Sequence, residues 1–412
     1  MEVVHRRCCG LDVHKKTVVA CLLVTEDTGA VRSEVRTFGT MTAHLEALAA
    51  WLQAAGCTHV AMESTGVYWK PIWNVLEGQF ELLLVNAQHI KAVPGRKTDV
   101  RDCQWIAELL RHGLLRGSVV PPRAQRELRE LSRYRTALIQ ERSAVVNRLQ
   151  KTLEGANLKL GVVASNVLGQ SGRQMLDALL AGETDPAVLA DLAQGRLRAK
   201  RAALEQALAG SCGPHQQFLL AEQLAHIDEL DERVARVSEV MAERLRPVED
   251  ALVRLDSIPG VGRRTAETLL AELGPDLSRF PTAGHLASWA GMCPGNHQSA
   301  GKQHSGKTRK GNKWLRVTLL EAGQAAGRGK GTYLAAQYAR LVGRRGKKKA
   351  AVAVGHSILV IAYHLLQRET TYQELGANYF DTRERERVQR RLVGRLERLG
   401  YKVALAPADS VA

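Results

Sequence analysis

Residues 8–24 read CCGLDVHKKTVVACLLV, and residues 59–66 read HVAMESTG. The first stretch is apolar and β-branched, broken only from Asp12 to Lys16. The second is a short buried strand that ends on a carboxylate, Glu63. Around them, Val31 to Phe38 supplies a second or third strand of the same sheet. Ala43 to Ala55 carries Leu45, Leu48 and Leu52 at helical spacing. Val67 to Leu76 predicts a helix, Glu81 to Val85 a strand, and Asp99 to Leu110 a further helix. Strands come first and helices and strands then alternate, for which a mixed sheet is the economical solution.

Beyond residue 118 the pattern changes. Leu128, Leu131, Leu138, Val145 and Leu149 recur at near-heptad spacing, and so do Leu220, Leu224, Ile227, Leu230, Val234, Val237 and Met241. Two long helices of this kind pair either with each other or with another subunit; the period alone does not give the partner. Residues 350–366 form an apolar helix, and RERERVQRRLVGRLERLG (383–400) is a charged amphipathic one.

The chain has 412 residues, with 58 Lys+Arg against 42 Asp+Glu, a formal net charge of +16 and 45% apolar residues. That apolar share excludes whole-chain disorder. The charge suits a polyanionic partner, most often nucleic acid. From Asn296 to Lys349 there are fourteen Lys and Arg against a single acid, Glu321, so most of the surplus is local. The seven cysteines (8, 9, 21, 57, 103, 212, 293) contain no CxxC pair, and they read as reduced thiols. No run reaches the roughly 18 apolar residues of a membrane span. The N-terminus lacks the apolar core of a signal peptide. A cytoplasmic protein, without membrane contact, is expected.

Four carboxylates stand where structure alone does not ask for them. Asp12 interrupts the first apolar strand, Glu63 ends a buried one, and Asp99 and Asp102 open a helix in GRKTDVRDCQWIAELL (95–110) at i, i+3, on one face. Four converging acids repel unless cations intervene, and oxygen-liganded Mg²⁺ is the natural occupant. Three have a plainer explanation too: first-turn acids for Asp99 and Asp102, a turn for Asp12; Glu63, directly after a buried apolar strand, is harder to dismiss. The combination falls on an RNase-H-like order of elements.

A second candidate lies in WAGMCPGNHQSAGKQHSGKTRKGNKWLR (289–316), cationic, glycine-rich and followed by a helix from Asn312 to Ala326. Backbone without side chains approaches a phosphate closely, and Lys302, Lys307, Arg309, Lys310 and Lys313 are the cations that would balance it. Ser299 is the nucleophile candidate. Ser305 competes for that role, and a loop that merely contacts backbone phosphates is the alternative. Upstream, Ile258 to Gly262 leads straight into a helix and is similar to a helix-hairpin-helix turn. Gly260 and Gly262 are then the backbone donors to a phosphate, or else a turn between packed helices.

Taken together, these motifs resemble the IS110/IS1111-type DEDD transposases, the RNA-guided recombinases of insertion sequences. GLDVHKKTVVACLL with Asp12 and AMESTGVYWKPIWNVLE with Glu63 are similar to the start of that family's RuvC-like domain. VPGRKTDVRDCQWIAELLRHGLL with Asp99 and Asp102 resembles its next acidic block, with Cys103 in place of the usual Ala. IPGVGRRTAETLLAELG through FPTAGHLASWAGMCPGNHQSAGK resembles its C-terminal transposase domain, with Ser299 at the catalytic serine and Ala300 where many relatives have Gly. The resemblance covers roughly residues 5–345.

It implies an α/β-plus-α chain: an RNase H/RuvC-like domain over 1–118, coiled-coil-like helices over 119–249, and a mainly helical serine-containing domain over 250–345 with the helix-hairpin-helix-like element. A helical extension over 346–412 would follow. It implies Mg²⁺ on the four acids, attack of Ser299 on DNA, and acidic and serine sites composed from different subunits of a dimer or tetramer. Donor and target DNA would be chosen by a structured non-coding guide RNA, and the protein would sit on the bacterial nucleoid when active. A metal-dependent junction nuclease in which Ser299 only binds phosphate, and a non-enzymatic nucleic-acid binder, remain the alternatives.

Overall fold

The computed structural model describes residues 2–64, 66–86, 102–295, 297–299 and 301–405, without the side chains of 297–299 and 303–305. The chain divides into two compact units, residues 1–122 and 123–412.

The first unit is a mixed sheet. β1 (Arg7–Val13), β2 (Thr17–Thr25) and β3 (Val31–Gly39) form an antiparallel meander; β4 (His59–Glu63) and β5 (Glu81–Val85) add in parallel, and β6 (Gly117–Ser118) closes the edge antiparallel. The order is β3-β2-β1-β4-β5-β6. The polar break seen in the sequence is narrower than Asp12 to Lys16: Asp12 pairs with Val19 inside the hairpin ladder, and only residues 14–16 turn.

Alternation along the strands sorts side chains to two faces. Cys9, Leu11, Val60 and Met62 go to the face covered by α1 (Thr42–Ala54) and α2 (Trp69–Leu76), where Leu45, Leu48, Leu52 and Ile72 are fully buried. Cys8, Cys21, Ala61 and Val85 go to the other face, covered by Cys103, Ile106, Ala107 and Leu110 of α3 (Asp102–Arg111). Each buried Leu, Ile, Val or Met side chain among them contributes about 1.5–3 kcal/mol. Gly10 sets the approach: a Cβ there would overlap the Cys103 carbonyl oxygen and the Ala107 backbone nitrogen. Only glycine lets α3 lie this close to β1.

Among its described residues the second unit is helical apart from one hairpin. α4 (Arg123–Gly155) and α5 (Pro214–Leu245) pair with each other, as one of the two expected arrangements had it. They run antiparallel: Arg244 bonds Glu127 at one end, Arg142 reaches Asp231 with two bonds of 2.5 and 2.8 Å in the middle, and Thr152 meets Gln223 at the other end. Leu138, Val145 and Leu149 interleave with Leu220, Leu224, Ile227 and Leu230, in a core completed by short helices between residues 160 and 208.

The opposite end of this helix pair, with Leu128 and Met241, enters a separate core. It is built from α6 (Glu249–Asp256), α7 (Arg263–Leu273), α8 (Ala283–Trp289), α9 (Lys313–Ala326), α10 (Tyr333–Arg345) and α11 (Lys347–Arg368). The sequence-based expectation that no segment reaches spanning length needs correction here. Among the described residues, α11 alone is long and apolar enough to cross a membrane, yet 56% of its apolar window is buried inside the protein. Val354, Ile358, Leu359 and Ala362 are fully buried, and the Tyr363 hydroxyl donates to the Phe280 carbonyl at 2.8 Å. It is the central helix of this core. The tail carries a charged helix, Arg385–Glu397, with no buried residue.

Candidate active site

The parallel register of β1 and β4 runs from Cys8 opposite His59 to Leu11 opposite Met62. Asp12 and Glu63 are the next residue on each strand. Residues paired in a parallel ladder point to the same face, so both carboxylates leave the sheet on the α3 side, at the carboxyl ends of neighbouring strands. α3 crosses that face antiparallel to β1. Its Ala107 accepts from Cys8 Sγ at 3.6 Å, its Cys103 lies over Gly10, and Asp102 opens its first turn. Three of the four acids singled out in the sequence therefore belong to one end of one face; Asp99 lies outside the described residues.

Asp12, Glu63 and Asp102 are all partly exposed. Asp12 Oδ2 receives His14 Nε2 at 3.1 Å. Beneath them sits a thiol layer: Cys21, paired with Gly10, bonds the Cys103 thiol, which lowers Cys21 from its ordinary value. Cys103 is pushed up, first by that bond and then by burial and nearby charge, Asp12 among it. Among the described residues, no three His, Cys, Asp or Glu side chains stand together as a metal-holding group. The donor chemistry nonetheless fits a hard cation: every candidate ligand is a carboxylate oxygen.

Ser299 is the last residue of β7 (His297–Ser299). β7 pairs antiparallel with β8 (Lys302–Ser305), Ser299 opposite Lys302, so the serine borders a two-residue turn in which Gly301 takes φ +74°. The sequence had read this stretch as a loop. It is a hairpin, and its base is clamped. Gly295 N donates to Lys307 O at 2.8 Å, and Arg316 Nη1 on α9 donates to Gly291 O at 3.0 Å and to Thr308 Oγ1 at 2.6 Å. Gly291 and Gly311 meet backbone to backbone, too close for any Cβ. Lys302, Lys307, Arg309, Lys310 and Lys313 are all exposed around it.

The turn between α6 and α7 separates its two glycines. Gly260, at φ +87°, faces α9; a Cβ would stand 2.5 Å from Ala326 N and 2.6 Å from Ala322 O. Packing accounts for it. Gly262 has nothing within 4 Å of its Cβ position and starts α7 without a side-chain cap, which leaves that helix end open.

Sequence reasoning missed the ionic frame beneath the basic segment. Glu272 is fully buried and holds Arg133 through bonds of 2.7 and 2.9 Å, with Arg129 beside it. Its Oε2 also receives Asn312 Nδ2 at 2.6 Å. Asn312 in turn caps α9 through Trp314 N and Leu315 N. Glu267 takes Arg135 Nη1 at 2.6 Å and Arg263 at 3.1 Å. The available signal was two glutamates inside the apolar run ETLLAELG, which a surface helix does not place there.

Residues 9–158 match the family model of the IS110-type DEDD transposase, described as "Transposase". Residues 253–339 match "Transposase IS116/IS110/IS902 family", so the two matches span more than half of the chain. The chain belongs to the IS110/IS1111 transposase family. A probable family 20 transposase of Pseudomonas aeruginosa is 26% identical over 322 residues, 76% of this chain and 85% of that one. The transposase for IS1111A of Coxiella burnetii is 27% identical over 299 residues, 70% and 72%. A pilin gene-inverting protein of Moraxella bovis is 32% identical over 125 residues, 29% and 38%. As a member of this family the chain is a DNA transposase/recombinase of the insertion-sequence type, and DNA is its substrate.

Proposed function

We propose that this transposase cuts and rejoins DNA through Ser299 as nucleophile, assisted by Asp12, Glu63, Asp99 and Asp102 in an RNase H/RuvC-like domain. The observation that carries the reading is the β1–β4 register, with Asp12 and Glu63 on one face beside the start of α3. The four carboxylates would hold Mg²⁺, which when bound offsets phosphate charge and stabilises the oxygens that gain charge in the displacement. The Ser299 hydroxyl gives up its proton and forms the Oγ–P bond. The displaced sugar oxygen takes a proton and leaves as a hydroxyl. A second strand's hydroxyl then attacks the phosphoserine, breaks Oγ–P and restores the serine. Lys302, Lys307, Arg309, Lys310 and Lys313, with the open helix end at Gly262, bind backbone phosphates without reading bases.

Base choice is then left to a partner, and in this reading it is a structured non-coding guide RNA. The concentration of cations between Asn296 and Lys349 supports a polyanionic partner, and the RNA itself comes from the family resemblance. The acids lie in residues 1–118 and the serine in 250–345, with the long helices of 119–249 between them; a dimer or tetramer would compose the site from both. The test is a covalent adduct. Wild-type protein incubated with DNA bearing its element's ends and Mg²⁺ leaves phosphoserine at residue 299, and Ser299→Ala leaves none and transfers no strand. Normal cleavage by Ser299→Ala would assign the chemistry to the carboxylates alone.

A further inference from the structure

A cleft of about 330 Å³ opens in the second unit where α4, α7 and α9 meet. None of the residues assigned to cutting lies in it, and of the cations assigned to phosphate binding only Lys313 does. One side of it is apolar: the Trp314 ring and Val317, the latter 45% exposed. The other is cationic. Arg264 and Lys313 are exposed and have no carboxylate partner among the described residues, and Lys313 Nζ stands 5.0 Å from the Trp314 ring centre. Arg135 is only 2% exposed; Nη1 is held by Glu267, and Nη2 has no hydrogen-bond partner among the described residues. The single carboxylate on the wall is Glu321.

A buried guanidinium with an unused donor and two surface cations without a carboxylate partner among the described residues ask for an anion. A tryptophan beside them asks for a flat ring. The two requirements together describe a nucleotide, and the volume lies at the small end of ligand pockets, about 300–1,000 Å³. A base still stacked in a duplex has no free face to offer, so the occupant is single-stranded. Glu321 repels a second phosphate and accepts from a base amino group or a ring N–H. The frame holds the ring in place: Asn312, anchored on Glu272, caps the helix one residue before Lys313 and Trp314.

We propose that this cleft is a subsite for one unstacked nucleotide of single-stranded nucleic acid, with its base on Trp314 and its phosphate on Arg264 and Lys313. The proposal rests on the reading that this unit handles nucleic acid. It adds a strand-selective contact that backbone lysines do not supply, since stacking needs a base freed from its pair.

The test is anisotropy titration of the full chain with labelled oligothymidylate, oligouridylate and a duplex of equal length. Trp314→Ala is expected to weaken single-strand binding about tenfold and to leave duplex binding unchanged, whereas Trp314→Phe retains most of the affinity. Val317→Glu, at an exposed position, places a second carboxylate in the cleft and is expected to give the same selective loss. Arg264→Gln lowers the salt slope on single strands by about one unit or less. Selective loss with either the DNA or the RNA strand supports the subsite and identifies its sugar. Wild-type single-strand affinity in both Trp314→Ala and Val317→Glu, or equal loss of strand and duplex in both, overturns it. Failure of the wild-type chain to bind any of the three probes counts instead against the nucleic-acid reading of the unit.

Discussion

Asn312 Nδ2 donates to Glu272 Oε2 at 2.6 Å, and this one bond ties the start of the basic helix α9 to the interior of α7. The same Asn312 caps α9, so removing its side chain loses a cap and leaves part of a buried carboxylate unmet. Asn312→Ala is expected to cost about 1–2 kcal/mol in guanidinium unfolding. Glu272→Ala is expected to cost about 3–5 kcal/mol, because Arg129 and Arg133 lose their shared anion. Equal, small shifts in the two midpoints would show that the frame is dispensable.

Gly10 tests the seat of α3. Gly10→Ala forces a methyl against the Cys103 and Ala107 backbone, so α3 must lift and carry Asp102 away from β1. We expect a loss of about 1–3 kcal/mol and a larger proportional loss of strand transfer. Wild-type activity in a Gly10→Ala chain would disconnect the sheet face from the chemistry.

Asp12→Asn keeps shape and removes charge. It is expected to lower cleavage by about 10²-fold or more, the scale of several kcal/mol of lost charge stabilisation, with little change in DNA binding at high salt. Gel quantification of cleaved and bound DNA separates the two effects.

The buried thiols of the first unit give it an alkaline limit. Burial pushes Cys8 and Cys57 up to about 12, from 9.0. Above pH 9 the unfolded chain sheds protons that the folded chain keeps. The stability these thiols contribute is therefore whole below pH 9 and falls as pH rises toward 12, by at most about 1.4 kcal/mol per pH unit for each thiol. Urea midpoints at pH 8 and 10 are expected to differ less in Cys57→Ala than in wild type; identical pH dependence would contradict this.

The α4–α5 pair separates apolar from ionic contributions. Leu149 is fully buried between the helices, and Leu149→Ala is expected to cost about 2–5 kcal/mol. Arg142, 32% exposed beside a half-exposed Asp231, is worth under about 1 kcal/mol to Ala. Thermal unfolding of both variants checks the order.

Most of the first unit was legible because its elements have local signals; the two-residue edge strand β6 (Gly117–Ser118) has none and was not expected. β-branched runs mark strands, leucine spacing marks α1, and Glu63 directly after His59–Met62 is a polar residue a buried strand does not need. What it lacked was register: only the pairing of β1 with β4 brings Asp12 and Glu63 to one face. The serine segment was legible in charge and glycine content but not in shape. A three-residue strand in a glycine-rich stretch carries too little alternation to be seen, and the clamp depends on Arg316, distant enough in sequence to look like another surface cation. The Trp314 cleft has no local signature, because its walls come from three helices spread over residues 135 to 321.

The position of α11 has a consequence for synthesis of the chain. Residues 347–368 are the last large piece of the second core, and they emerge from the ribosome after α6 to α10 and the serine hairpin have all been made. Those earlier helices have no complete interior until α11 arrives, so the hairpin base, clamped on α9, cannot settle during most of translation. The segment that carries Ser299 is thereby among the last parts of the second core to take its final form, by folding order alone. A chain that stops before residue 347 keeps the first unit whole and lacks the central helix of the second core.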